Sequence, residues 1–319
     1  MHVGIDLGGI NIAIGLVDEE YNLLAKGSVP TVRERAFSDI MKDAAQLIQR
    51  LLTETGKTVN DIQSIGMGSP GTLDVKKKTI VKACSFPKVH HSNVGTEIEK
   101  YFPGIPVYVG NDANAAAYGE ILAGTSKGLA NAVMVTLGTG VGGGIIIDNK
   151  IYAGFNHAGA ELGHMVLNFN GPKCNCGRSG CFECYASATA LIKQTADMIQ
   201  SYPDSIIHEM INHDPAKISG KTAFDAAKQG DRAGQKIVGK YIEYLGVGLL
   251  NIIHIFQPEA IIIGGGICKE GDYLLNPLNE YINQYIVTTD IPRTKLMTAS
   301  LGNDAGIIGA AMLWKQQDK

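Results

Sequence analysis

The 319-residue sequence has little that would draw it to a charged polymer, since 28 Lys and Arg stand against 31 Asp and Glu for a formal net charge of −3. Nothing in that balance favours nucleic acid or an anionic membrane surface as the main partner. The amino terminus, MHVGIDLGG, lacks the basic segment, apolar stretch and small-residue cleavage site of a secretory signal. Long apolar runs are also missing: the region 245–267 is interrupted by His254, Gln257, Pro258 and Glu259, too polar for a span of about 20 residues. A cytoplasmic protein is expected, with neither nucleic acid nor membrane as partner.

Two common nucleotide motifs are absent as well. The Gly-Lys-Thr at 220–222 has Pro215 where a P-loop requires glycine. Gly-x-Gly-x-x-Gly can be traced from Gly138, but it lies between two expected strands and not before a helix, which excludes the dinucleotide fold. His208 and His213 are five apart, on different faces of a helix, and so fail the His-Glu-x-x-His zinc geometry.

What is present reads as a soluble α/β protein of two domains, with 45% hydrophobic and 18% charged residues. Alternating apolar residues predict strands through Val3, Ile5 and Leu7, through Ile12, Ile14 and Leu16, and over 23–29. Helical spacing of Ile40, Ala44, Leu47, Ile48, Leu51 and Leu52 follows, then a strand at 62–67, a helix at 93–101 and a strand at 107–109. The order recurs with strands at 132–137, 142–147 and 151–153, helices at 187–201 and 231–256, a strand at 260–263, a helix at 272–286, a strand at 295–299 and a helix from 304. Ile237, Tyr241, Leu245, Leu249, Ile253 and Phe256 form a core stripe on the long helix. The chain is thus a duplicated domain, and two such units facing each other would leave a cleft for a small molecule.

Three glycine clusters stand after strands. Asp6-Leu7-Gly8-Gly9-Ile10-Asn11 sets a carboxylate at a strand end and two residues whose backbone N–H groups a phosphate can approach. A plain hairpin turn accounts for that glycine pair equally well. Gly138-Thr139-Gly140-Val141-Gly142-Gly143-Gly144 is stronger, because five glycines in seven residues weaken ordinary strand pairing. Gly264-Gly265-Gly266 lets a planar ligand approach and is a candidate adenosine site. Between the strand at 107–109 and an alanine-rich helix stand Asn111 and Asp112, the latter either a helix cap or a general base.

Four of the six cysteines, Cys174, Cys176, Cys181 and Cys184, fall within eleven residues. In a reducing cytosol such a cluster binds metal more often than it forms disulfides. His164, Cys174, Cys176 and Cys181 suit a closed structural zinc site, and spacing alone leaves Cys184 open as a replacement for His164. Cys84 and Cys268 read as small buried hydrophobes.

Together these motifs resemble the ROK family of sugar kinases and sugar-responsive repressors, closest to its bacterial glucokinase branch. The resemblance rests on DLGGIN at 6–11, GSPG at 68–71, NDANAAA at 111–117, GTGVGGG at 138–144, ELGH at 161–164, CNCGRSGCFE at 174–183 and GGGI at 264–267. It implies a duplicated actin-like, ribonuclease-H-like ATPase fold with a zinc-binding loop insertion at 157–184. Domains of 1–118 and 119–303 are expected, the helix at 304–319 packing back on the first. It implies ATP, magnesium and structural zinc as cofactors, a sugar as substrate, and a homodimer or homotetramer. Asp112 becomes the catalytic base. Gly71, Asn111, Glu161, His164 and Glu183 become sugar contacts, and His164 with Cys174, Cys176 and Cys181 the zinc ligands, which leaves Cys184 out. Gly8, Gly9, Asn11, Gly138, Thr139, Gly140, Gly264 and Gly265 would hold the nucleotide, and Asp6 would position magnesium through water.

The family usually has threonine where this chain has Ile10, which removes a hydroxyl from the first turn. It also commonly carries asparagine near position 86, where this chain reads Cys84-Ser85-Phe86-Pro87-Lys88-Val89. Repressor members carry a winged helix-turn-helix ahead of the first glycine turn. Only five residues precede Asp6, so a kinase is expected, most simply one making glucose 6-phosphate. The alternatives are a kinase for N-acetylmannosamine, fructose or allose, or a non-catalytic sugar-binding member.

Overall fold

Alternation of Val3, Ile5 and Leu7, and of Ile12, Ile14 and Leu16, sets two strands side by side, all six side chains being fully buried. The computed structural model describes residues 1–83 and 86–316. It shows β1 (His2–Leu7), β2 (Asn11–Val17), β3 (Leu23–Pro30), α1 (Phe37–Glu54), β4 (Ser64–Ser69), β5 (Thr72–Asp74), β6 (Thr79–Lys82), β7 (His90–Asn93), α2 (Val94–Glu99), β8 (Val107–Asn111) and α3 (Asp112–Ala123). Then come β9 (Ala132–Leu137), β10 (Val141–Ile147), β11 (Lys150–Ile151), α4 (Glu183–Ala186), α5 (Ala188–Ile199), α6 (Ile207–Met210), α7 (Thr222–Lys228), α8 (Arg232–Phe256), β12 (Ala260–Gly265), α9 (Asp272–Tyr285), β13 (Lys295–Thr298) and α10 (Asp304–Ala311).

Duplication is visible in the sheets. One runs β3-β2-β1-β4-β8 and the other β11-β10-β9-β12-β13, the same order twice. In the first, β1 pairs antiparallel with β2 and parallel with β4, which pairs parallel with β8. In the second, β10 and β11 are antiparallel and β12 and β13 parallel. This is the duplicated ribonuclease-H-like fold of actin-like ATPases.

The chain divides into two compact units. One comprises Met1–Met134, Gly144–Ala160 and Ser300–Lys319, the other Val135–Gly143 and Glu161–Ala299. In the first, α1 lays Ile40, Met41, Ala44, Leu47, Ile48 and Leu51 against β2 and β3. Each such leucine or isoleucine contributes about 1.5–3 kcal/mol of burial. α10 is buried all round against β1, β4 and α3, which explains its composition of Ala, Gly and Ile. In the second unit, α8 starts at the capping Asp231, whose carboxylate accepts from Gly234 N–H at 2.7 Å, and ends at left-handed Gln257 before Pro258. Its expected stripe is buried except for Phe256, which is half-buried at the helix end.

Several readings from sequence are corrected. A separate sheet of β5, β6 and β7 was not expected, nor was α7, because strands of three or four residues and a seven-residue helix show too few periods. Gly142, Gly143 and Gly144 do not loosen the pairing; they lie within β10. A Cβ on Gly144 would stand 2.5 Å from Ala117 Cβ and 2.7 Å from Ala113 O, so this glycine lets α3 seat on the strand. His208 and His213 do not share a helix. α6 ends at Met210, and His213, with φ +55°, brings its ring to 6.2 Å from that of His208, stacked. Cys268, expected in the core, is half-buried in a 3-10 turn at Gly266–Glu270. Cys84 and Ser85 lie outside the described residues, while Phe86 is fully buried.

Candidate active site and metal centre

In the first unit, Asp6 lies near the end of β1, followed by the first glycine turn. Gly8 N–H donates to Asn11 O at 3.0 Å, closing the turn as β2 begins. Two bonds from Thr31 hold it from behind. Its hydroxyl donates to Gly8 O at 2.6 Å and its N–H to Ile10 O at 2.8 Å. Thr31 is fully buried, and its bonds engage the turn's carbonyls while leaving the N–H groups of Gly9 and Ile10 out of them. Ile10 itself is 82% exposed.

Asp112 opens α3, but the capping residue is Asn111, whose side-chain oxygen accepts from Asn114 N–H at 3.1 Å. Asp112 is thus relieved of the capping duty its position suggested, although it accepts from Ala113 N–H at 2.8 Å. Burial raises the Asp112 carboxyl above its ordinary value, against lowering hydrogen bonds from backbone N–H groups and the Asn111 side chain. Asp6 is pushed up to about 6, first by burial and then by the charge of Asp112. Two desolvated carboxylates that feel each other's charge form a place where a proton or a cation is welcome. Gly71 sits between β4 and β5 with φ +94°.

In the second unit, the turn Gly138-Thr139-Gly140 joins β9 to β10, with Gly138 N–H donating to Gly140 O at 3.0 Å. Ala188 N–H, at the start of α5, donates to Gly138 O at 2.9 Å. Gly264 and Gly265 end β12, Gly265 with φ +92°.

Glu161 precedes a 3-10 turn at Leu162–His164. His164 Nδ1, Cys174 Sγ, Cys176 Sγ and Cys181 Sγ converge, the ligand atoms of these four residues all lying within 4.8 Å of one another. Cys176 and Cys181 sulfurs are 3.6 Å apart, and Cys174 Sγ is 3.7 Å from His164 Nδ1. Tetrahedral zinc with bonds of about 2.3 Å to sulfur sets its ligands roughly 3.8 Å apart, so the donors and spacing fit that ion. Cys184 stands outside the group, its sulfur 3.7 Å from Lys173 O.

Local structure explains the convergence. Gly177 N–H to Cys174 O and Cys174 N–H to Arg178 O close a tight loop, and Val166 and Cys181 form an antiparallel bridge. Arg178 donates from Nη2 to His164 O at 2.8 Å. Its backbone N–H, then its side chain, lower the Cys176 thiol to about 6, while burial pushes the Cys174 and Cys181 thiols up. Glu183 opens α4, one carboxylate oxygen accepting from Cys174 Sγ at 2.9 Å and lying 3.5 Å from His164 Nδ1. No spacing rule marks Thr31 or Arg178, which hold the turn and the metal loop through space.

The ROK family profile matches residues 2–317. A curated glucokinase of Thermotoga maritima is 36% identical over 315 residues, covering 99% of this chain and 97% of that protein. A glucokinase of Halalkalibacterium halodurans is 33% identical over 324 residues, with 99% and 96% coverage. Among solved structures, a ROK family glucokinase from Streptomyces griseus in complex with glucose and AMPPNP superposes with a TM-score of 0.81 at 33% identity, covering 99% of both chains. Likeness to glucokinases over the whole chain, in sequence and in fold, makes this a sugar-kinase type of protein. This chain belongs to the ROK family.

Proposed function

We propose that the protein transfers the γ-phosphoryl group of ATP to a hexose hydroxyl, with glucose as substrate and glucose 6-phosphate as product. Asp112 carries this reading. It is a desolvated carboxylate with a raised pKa at the start of α3, beside the charge of Asp6, in a chain with glucokinases among its full-length relatives. Asp112 accepts the proton of the attacked hydroxyl as its oxygen bonds to the γ-phosphorus, and ADP departs with the electron pair of the broken bond. Asn111, Glu161, His164, Glu183 and the backbone at Gly71 bind the other hydroxyls, since a carboxylate can accept hydrogen bonds from two hydroxyls at once.

Backbone N–H groups at Gly8, Gly9, Asn11, Gly138, Thr139 and Gly140 hold the phosphates, and Gly264 and Gly265 receive the adenosine. Asp6 would hold magnesium, and that ion would neutralise charge on the phosphates. His164, Cys174, Cys176 and Cys181 would hold a structural zinc, and the second imidazole nitrogen of His164 would remain for a sugar hydroxyl.

An ATP/ADP-coupled assay over hexoses and N-acetylhexosamines tests the assignment. Turnover with glucose above the rest is expected. Preference for N-acetylmannosamine, fructose or allose replaces the substrate, and hexose binding without turnover makes the protein a sugar binder. No helix among the described residues is long and apolar enough to cross a membrane, in keeping with a cytoplasmic kinase. Assembly into two or four copies belongs to the same reading and is checked by sedimentation equilibrium.

A further inference from the structure

Gly140 is not in a left-handed conformation, so its backbone alone does not require glycine. Space does. A Cβ at position 140 would stand 2.7 Å from Glu183 Oε2, closer than carbon and oxygen approach without one of them moving. The other carboxylate oxygen lies 2.9 Å from Cys174 Sγ. The carboxylate of Glu183 is therefore seated between the metal-ligand cluster on one side and the bare backbone of a glycine turn on the other. The same turn is tied to the helices leaving the metal loop through Ala188 N–H and Gly138 O, at 2.9 Å.

We infer that Gly140 is a positioning residue for the Glu183 carboxylate, and so a determinant of sugar affinity built into the phosphate turn. This rests on the reading of Glu183 as a sugar ligand. The atom that a side chain at 140 would meet is the end of a flexible glutamate and not backbone. Adding one methyl group therefore moves the carboxylate and leaves the turn's own N–H groups in place. Glycine at this position serves the sugar more than the nucleotide.

Calorimetric titration of hexose and of ATP into the zinc-loaded protein tests this, with wild type, Gly140→Ala, Glu183→Ala and the double variant. For Gly140→Ala, hexose Kd and KM rise roughly ten- to hundredfold, the scale of a lost hydrogen bond to a charged group, while nucleotide Kd changes much less. The double variant binds hexose no worse than Glu183→Ala, because once the carboxylate is gone a methyl group at 140 has nothing left to displace. A loss that falls on nucleotide with hexose Kd at its wild-type value overturns the inference, as do additive losses in the double variant.

A thermal cycle makes the same cut if Gly140→Ala folds poorly. Against a Glu183→Ala background, which removes the clashing atoms, Gly140→Ala must cost no melting temperature; destabilisation in both backgrounds overturns the contact. A wild-type protein that neither binds hexose nor turns over ATP removes the functional reading instead, and leaves the contact to be judged by that thermal cycle.

Discussion

The two glycine turns occupy equivalent places, each following the first strand of its own five-stranded sheet, yet they are braced by different means. Gly8-Gly9-Ile10 is held by a single buried threonine at the end of β3, through its hydroxyl and its N–H. Gly138-Thr139-Gly140 is held by Ala188 N–H and packs on Glu183, both of which follow the cysteine loop. The first turn depends on the sheet that contains it. The second depends on an inserted loop that gathers His164 and three cysteines. Duplication thus supplied two glycine turns, and only the second lies against a carboxylate, that of Glu183.

The largest expected effect falls beside the first turn. Asp112→Asn should lower kcat by about 10²–10⁴-fold, the usual contribution of a general base, with hexose Kd preserved by calorimetry. Near-normal turnover would remove the base assignment. Because the Asp112 carboxyl is raised, kcat/KM should also fall as pH drops through that raised value.

Asp6→Asn tests the strain stored next to that turn. Burial and the charge of Asp112 raise the Asp6 carboxyl from 3.8 to about 6. The folded state therefore favours the protonated form. Its contribution to stability is fully present below pH 3.8 and is lost as pH rises through about 6. Asparagine should accordingly stabilise the protein above pH 6 by at most about 3 kcal/mol, less where water reaches the carboxylate, and make no difference near pH 3. Equal melting temperatures at pH 7.5 would contradict this account.

For the second turn, Cys176→Ser or chelation of zinc should weaken hexose binding roughly tenfold or more, the range seen when metal sites lose support. An unchanged hexose Kd in a folded, zinc-free variant breaks the proposed link between loop and sugar. The smallest effect is at the brace of the first turn. Thr31→Val strands the Gly8 carbonyl at a cost of about 1 kcal/mol and should raise the nucleotide KM severalfold without moving the hexose KM; Thr31→Ser should restore it. A shift in the hexose KM instead would erase the contrast between the turns.

Legibility in the sequence followed the range of the interactions. β1, β2, α1 and α8 could be read because alternation or 3.6-residue spacing records which face meets the core. β5, β6 and β7 are too short to record it. Val166–Cys181 pairing, by contrast, closes a loop short enough that the spacing of His164, Cys174, Cys176 and Cys181 already groups donors that lie within 4.8 Å of one another. At Asn111-Asp112 the sequence offered Asp112 as a cap, and only backbone geometry moved that duty to Asn111. Thr31 and Arg178 left no trace, because a bond from Thr31 to Gly8 spans 23 residues and has no characteristic spacing.

The sequence by itself determined a duplicated α/β chain, its glycine turns, its paired Asn111 and Asp112 and its cluster of one histidine and three cysteines, since each is a matter of local period or short-range spacing. Tertiary structure decided what each glycine is for. Gly144 makes room for a helix, and Gly140 makes room for a carboxylate. A residue with no side chain carries no chemical label, so its purpose is set by the atoms that fill the space a Cβ would have taken.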